Sequence, residues 1–160
     1  MIEVPTRERD GSVPFGVLYA ASAALRHGHR VKILDLVKED LSDEEIILQI
    51  KQFAPGLIGM GGITSSYGRC KELVALIKQN FRGIPIVAGG VLSSVVDLLL
   101  TRAGVDYVVH GEAELSFPKL IQTLEEQGDV SRVAGISFVR NGVVNRTESE
   151  RLLKNLDEIP

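Results

Sequence analysis

Three stretches of the sequence gather small and hydroxyl-bearing residues directly after short apolar runs. They are Gly59-Met60-Gly61-Gly62-Ile63-Thr64-Ser65-Ser66, Gly89-Gly90-Val91-Leu92-Ser93-Ser94 and His110-Gly111-Glu112-Ala113-Glu114. Glycine lets a ligand approach the main chain closely, and serine and threonine hydroxyls both donate and accept hydrogen bonds. Any one stretch is explained equally well as a tight turn or a helix N-cap. Three of them after successive strands point to a large ligand lying across one edge of a sheet. The chemistry is that of binding. Glu112 and Glu114 open a helix, where acids complement the dipole, and they lack a partner base for proton transfer. The single cysteine, Cys70, excludes an internal disulfide and a cysteine-built metal site. It falls on an apolar helix face and reads as core. His27 and His29 flank a helix end, where an imidazolium complements the dipole and no third metal ligand is near. His110 ends a strand at the ligand edge, so contact with the ligand and plain solvation are both open to it.

The elements that must carry these loops alternate. The pattern predicts a helix over about 14–26 ending at Gly28, then a strand Val31-Lys32-Ile33-Leu34-Asp35. Ser42 with Glu45 three residues on forms a capping box that opens a polar helix. A strand Leu57-Ile58-Gly59-Met60 follows, and then a helix over 66–80 with Tyr67, Cys70, Leu73, Val74 and Ile77 on one face. Next come a strand Ile84-Pro85-Ile86-Val87-Ala88, a helix over 94–102, a strand over 105–109 and a helix over about 115–127. Strand–helix alternation of this kind predicts parallel strands joined by right-handed crossovers. The tail departs from it, because Asn141-Gly142 sits between two β-branched runs as the turn of a hairpin. The fold class expected is α/β, a doubly wound, flavodoxin-like (Rossmann-like) parallel sheet of about five strands with a C-terminal β-hairpin. A central first strand is required, yet only Ile2-Glu3-Val4 is available for it. Either that strand is very short or the sequence begins within it.

The 160 residues suit one domain, and 44% hydrophobic with 24% charged residues is an ordinary globular balance. A net charge of −3 without basic clusters gives a nucleic-acid or anionic-membrane partner no electrostatic support. The apolar runs are strand-sized and the first ten residues lack a signal-peptide core, so a cytoplasmic location is expected. Familiar nucleotide signatures fail on particular residues. The first turn reads Gly11-Ser12-Val13-Pro14-Phe15-Gly16 rather than Gly-x-Gly-x-x-Gly, a Gly-Lys-Ser/Thr loop is absent, and Met60 or Gly61 stands where a phospho-acceptor aspartate would end the third strand.

Several segments together resemble the cobalamin-binding domain of cobalamin-dependent radical S-adenosylmethionine enzymes, methyltransferase-like in type. Val13-Pro14-Phe15-Gly16-Val17-Leu18-Tyr19-Ala20-Ala21 is similar to the family's Pro-Leu-Gly-Leu-x-Tyr-Leu-Ala opening. Leu57-Ile58-Gly59-Met60-Gly61-Gly62-Ile63-Thr64-Ser65 resembles Val-Gly-Ile-Ser-x-x-Thr, and Pro85-Ile86-Val87-Ala88-Gly89-Gly90 resembles Pro-Val-Val-x-Gly-Gly. The most specific segment runs from Asp106-Tyr107-Val108-Val109-His110-Gly111-Glu112-Ala113-Glu114 to Leu115-Ser116-Phe117-Pro118, similar to Asp-Tyr-Val-Val-x-Gly-Glu-Gly-Glu-x-x-Phe. Asn155-Leu156-Asp157-Glu158-Ile159-Pro160 is similar to the connector that leads to a radical domain.

The resemblance implies a cobalamin-binding domain over 1–147 and a linker over 148–160 toward a radical S-adenosylmethionine domain. That downstream domain would supply an iron–sulfur cluster and S-adenosylmethionine, with the cobalamin as methyl carrier. The corrin would lie on the carboxyl edge of the sheet. Gly89 and Gly90 would give its nucleotide tail room, Thr64, Ser65 and Ser93 would bond to it, and Gly111, Glu112 and Glu114 would border it. Gly16, Gly61, Gly62 and Val91 complete the expected contact set. The wider fold carries Asp-x-His-x-x-Gly with an axial histidine; here Asp10-Gly11-Ser12-Val13-Pro14-Phe15 puts Ser12 in the histidine slot. Phe15 or its neighbours would then face the cobalt without ligating it, leaving the cofactor base-off. Gly61 likewise stands where a Ser-x-Leu motif would have its serine. These two departures support the alternative, a cobalamin-free interaction or substrate-gating module of the same fold.

Overall fold

The computed structural model describes residues 1–6 and 13–150. Seven strands form one sheet in the order β2-β1-β3-β4-β5-β6-β7. The first five, β1 (Ile2–Glu3), β2 (Leu34–Asp35), β3 (Ile58–Gly61), β4 (Ile86–Ala88) and β5 (Tyr107–Val109), are parallel. The last two, β6 (Ile136–Arg140) and β7 (Val143–Arg146), run antiparallel as a hairpin. Its turn uses Asn141 and Gly142, both at positive φ (54° and 75°), as the Asn-Gly pair requires. This is the expected doubly wound sheet with a terminal hairpin. Strand order reverses at β1, which pairs with β2 on one side and β3 on the other.

The helices α1 (Phe15–Arg26) and α5 (Ala113–Glu125) cover one face, where Ala20, Ala24, Phe117, Leu120 and Ile121 pack on Val87, Val109 and Ile136. The other face carries α2 (Asp43–Phe53) and α3 (Tyr67–Asn80), whose Ile46, Ile50, Leu73 and Ile77 meet Ile2, Met60 and Ile86. Strands buried on both faces are what parallel sheets require. The local signals read from sequence hold. Glu45 N–H donates to Ser42 Oγ (3.2 Å) while Ser42 N–H donates to the Glu45 carboxylate (2.8 Å), closing the capping box. At the end of α1, Gly28 (φ 85°) lets its own N–H reach Leu25 O (3.0 Å) and that of His29 reach Ala24 O (3.2 Å).

Two elements differ from expectation. The strand expected from Val31 is paired as a strand only at Leu34–Asp35, because β1, its neighbour, runs no further in that direction. The helix expected over 94–102 is broken into a 3₁₀ stretch Gly90–Val95, one α turn α4 (Val96–Leu98) and a π turn Leu99–Ala103. Thr101 Oγ1 donates to Asp97 O (2.6 Å), occupying the carbonyl that an α-helical amide would use and favouring the wider turn.

Candidate functional site

The carboxyl ends of β1, β3 and β4 surround a cavity of about 260 Å³ at the point where strand order reverses. Gly61, Gly62, Gly89, Gly90 and Val91 line it from the two central loops, and Phe15 and Gly16 line it from the start of α1. The loops are tied together by main-chain bonds, Gly89 N–H to Met60 O (3.0 Å) and Leu92 N–H to Gly62 O (3.0 Å). Gly90 is left-handed at φ 67°, and a side-chain carbon there would find only Gly62 O, at 3.9 Å. This is backbone that a ligand can approach directly. Gly61 has a different reason to be small: a Cβ on it would lie 2.4 Å from Val17 Cγ2, so its missing side chain seats α1 against the sheet.

The other expected positions lie around this cavity rather than in it. Thr64 and Ser65 occupy a 3₁₀ turn beyond β3, and the Thr64 hydroxyl is 2.9 Å from that of Ser94, joining the two loops. Ser93 precedes that bond and is half-buried. Gly111 is exposed at φ 61°, Glu112 is the residue before α5, and Glu114 lies in its first turn. Ala113 and Phe117 line the cavity from α5, whereas Glu114 is buried elsewhere, its Oε2 without a partner among the described residues. Ser12 and the connector 155–160 lie outside the described residues.

Sequence reasoning missed Glu3 and two members of an apolar rim, Val13 and Ile63, whereas Phe15 and Val91 are among the expected contacts. Glu3 lines the cavity, and burial, with the Asp35 carboxylate beside it in register, pushes its carboxyl up to about 7. Val13 (46% exposed), Phe15 (63%), Ile63 (49%) and Val91 (61%) form an apolar border to the mouth. Exposed apolar residues gathered at a cavity mouth mark a binding surface; their shared signal is position, two at the start of α1 and one each after β3 and β4.

None of the three histidines is among the lining residues. His110 is half-buried, and its Nε2 is 2.7 Å from Ser137 Oγ. Burial, then the nearby Arg146, lowers its pKa below the ordinary value. His27 Nδ1 lies 2.8 Å from Ala23 O, and His29 faces Glu125 at 3.5 Å. Cys70 is fully buried and burial pushes its thiol up to about 12, in keeping with its expected core role. Among the described residues, no three acidic, histidine or cysteine side chains are grouped to hold a metal, and no helix is long and apolar enough to cross a membrane.

A doubly wound sheet with a glycine-lined cavity and apolar rim at its switch point defines a cofactor-binding domain of the Rossmann-like type. Residues 10–121 match the B12 binding domain family, and the chain belongs to it. It is 33% identical over 92% of its length to an uncharacterized methyltransferase of Pyrococcus horikoshii, and 32% identical over 90% to an anaerobic magnesium-protoporphyrin IX monomethyl ester cyclase of Synechocystis. It spans about a third of each, 32% and 30%. Among solved structures, the cobalamin-dependent S-adenosylmethionine radical enzyme OxsB with aqua-cobalamin and S-adenosylmethionine superposes with a TM-score of 0.83 at 19% identity, over 94% of this chain and 22% of that one. The radical S-adenosylmethionine methyltransferase TsrM of Kitasatospora setae, with cobalamin and an iron–sulfur cluster bound, gives 0.80 at 18% identity, over 99% and 30%.

Proposed function

We propose that this domain holds cobalamin base-off as the methyl carrier of a radical S-adenosylmethionine enzyme, with the corrin on the apolar rim and its nucleotide tail entering the cavity. The observation that carries the reading is the glycine-lined cavity at the switch point, bordered by Val13, Phe15, Ile63 and Val91 and free of any histidine. The residues fit the cofactor: a broad apolar macrocycle suits the rim, and the backbone of Gly62, Gly89 and Gly90 leaves width for a narrower appendage. When bound, cobalamin supplies a cobalt centre able to carry a methyl group. The protein's part is to bind and orient. Phe15 offers the cobalt face an apolar surface, Gly90 admits the tail, and the Thr64–Ser94 pair and Ser93 offer it hydroxyls. Ser65, Gly111 and Glu112 border the same edge, and in the sequence Ser12 stands at the position where the wider fold's motif has its histidine. With Cys70 alone, the chain lacks the thiolates of an iron–sulfur cluster, so radical chemistry belongs to a downstream domain reached through residues 148–160. A cytoplasmic setting is part of this reading.

The test is titration of the purified chain with hydroxocobalamin. Stoichiometric uptake with a base-off spectrum is expected, unchanged by His27→Ala, His29→Ala or His110→Ala. Nitrogen hyperfine coupling on reduced cobalt would overturn the base-off assignment, and no uptake would favour the cobalamin-free interaction module.

A further inference from the structure

Apart from Glu3, every described residue that lines the switch-point cavity is glycine, proline or apolar. Glu3 ends β1, and its side chain projects to the α1/α5 face, because Ile2 before it and Val4 after it lie in the α2/α3 core. Its Oε2 takes up part of the space left by Gly61, 3.2 Å from where a Cβ on that glycine would stand. The groups around Glu3 set its charge. On β2, Asp35 stands in register with it and is the charged side chain that faces it. Asp35 has donors of its own: Val37 N–H (3.2 Å), Lys38 N–H (3.3 Å) and the Lys38 Nζ at 3.7 Å. β3 presents Gly61, α1 presents Val17 and Ala20, and α5 presents Ala113 and Phe117. Burial, then Asp35, pushes the Glu3 carboxyl up to about 7, because a second anion among apolar walls and beside a carboxylate is costly. Below that point Glu3 carries an O–H to donate into an otherwise apolar space. Phosphates and carboxylates are poor occupants beside it. The group that suits the cavity is apolar and neutral, with a single hydrogen-bond acceptor.

From this geometry we infer that Glu3 is a specificity-determining residue of the cavity, its carboxyl O–H donating to a ring nitrogen of the base at the end of the corrinoid tail. The domain thereby selects corrinoids whose tail carries a nitrogen heteroaromatic base over those whose tail lacks an acceptor nitrogen. The inference rests on the reading that the nucleotide tail enters this cavity. In a base-off corrinoid the nitrogen that could otherwise bind cobalt is released and free to accept. A site with one buried donor discriminates against an analogue without the acceptor, because the donor is then left unpaired. The apolar walls bind either ring through burial, so the choice between them falls to Glu3.

The experiment titrates the purified chain, Glu3→Leu and Glu3→Gln with three corrinoids, followed by absorbance. They are cobalamin, a cobamide with p-cresol as its tail base, and cobinamide, which has no tail base. The quantity read is the ratio of cobalamin to p-cresolyl cobamide affinity. Comparing that ratio between parent and variant cancels the cost of releasing the base from cobalt. Glu3→Leu is expected to lower the ratio about tenfold or more and to leave cobinamide affinity within about twofold of the parent. Glu3→Gln, whose amide still donates, should keep most of the ratio. Parent affinity for cobalamin should fall several-fold between about pH 6 and about pH 8.5, as the Glu3 proton is lost, and that of Glu3→Gln should stay level. Should circular dichroism show Glu3→Leu unfolded, the pH response of Glu3→Gln carries the test. An unchanged ratio in folded Glu3→Leu, or a Glu3→Gln that keeps the parent's pH dependence, would overturn the role of Glu3 and leave the cobalamin reading standing. Failure of the parent chain to take up any of the three corrinoids would overturn both.

Discussion

Replacing Gly61 by alanine tests whether this glycine serves helix packing. The new Cβ would stand 2.4 Å from Val17 Cγ2, against about 3.5–4.0 Å for relaxed carbon contacts, a shortfall of more than about 1 Å. Val17 is 2% exposed, and a β-branched residue in a helix has essentially one rotamer, so the strain passes to the position of α1. Overpacking of this kind costs about 1–3 kcal/mol, or a Tm fall of about 2–4 °C per kcal/mol in a domain of this size. Val17→Ala alone removes two buried methyls and costs about 1.5–2.5 kcal/mol. In the double variant the nearest atom is Glu3 Oε2 at 3.2 Å, the end of a flexible side chain that can give way, and the residue-17 Cβ stands 3.8 Å away in ordinary contact. The pair should then cost no more than Val17→Ala alone, a coupling of about 1–3 kcal/mol. Urea unfolding followed by circular dichroism measures all four corners of the cycle. Additivity within about 0.5 kcal/mol would refute the packing role.

Gly90→Leu is expected to keep the fold, at a cost of about 1–2 kcal/mol for its left-handed backbone, and to abolish hydroxocobalamin binding; an unchanged affinity would remove the tail from this loop. Glu3, raised to about 7 from an ordinary 4.5, holds its proton in the folded state over a range where the unfolded chain has lost it. Its contribution to stability is therefore full below about 4.5 and declines as pH rises toward about 7; Glu3→Gln should flatten that part of the stability profile, and an unaltered slope counts against it. Cys70, its thiol pushed up to about 12 in the core, should react with an aromatic disulfide reagent only at the rate of unfolding, and rapid labelling of the native chain would contradict its burial.

Local signals made much of the fold legible. Ser42 with Glu45, Gly28 after α1 and Asn141-Gly142 each specify one backbone geometry, and each is found. The motif aspartate Asp106 also has a physical account, since its carboxylate accepts from Ile86 N–H (2.9 Å) and pairs with Lys78 (2.8 Å). That holds β4 to β5 at the edge away from the cavity. What stayed illegible depends on non-local packing. The side chain of Thr101 competes for a carbonyl within its own turn, which apolar spacing does not register. Gly61 reads as a ligand-facing loop glycine until Val17 is seen above it. Glu3 sits on a strand of two residues, too short to show which face an acid occupies. His110 finds Ser137 from a strand 27 positions on, a partner that spacing could not supply.

The antiparallel hairpin has a consequence of parity. Strand β5 reaches the carboxyl edge, β6 starts there with Ile136 opposite Val109, and β7 climbs back until Arg146 stands opposite Ser137. Thr147 N–H donates to Ile136 O (3.0 Å), level with that same edge. Two reversals return the main chain to the side where the cavity opens, whereas a single added strand would deliver it to the far end of the sheet. A segment tethered after Thr147 therefore starts on the side of the sheet where the cavity opens, with no need to wrap around the domain.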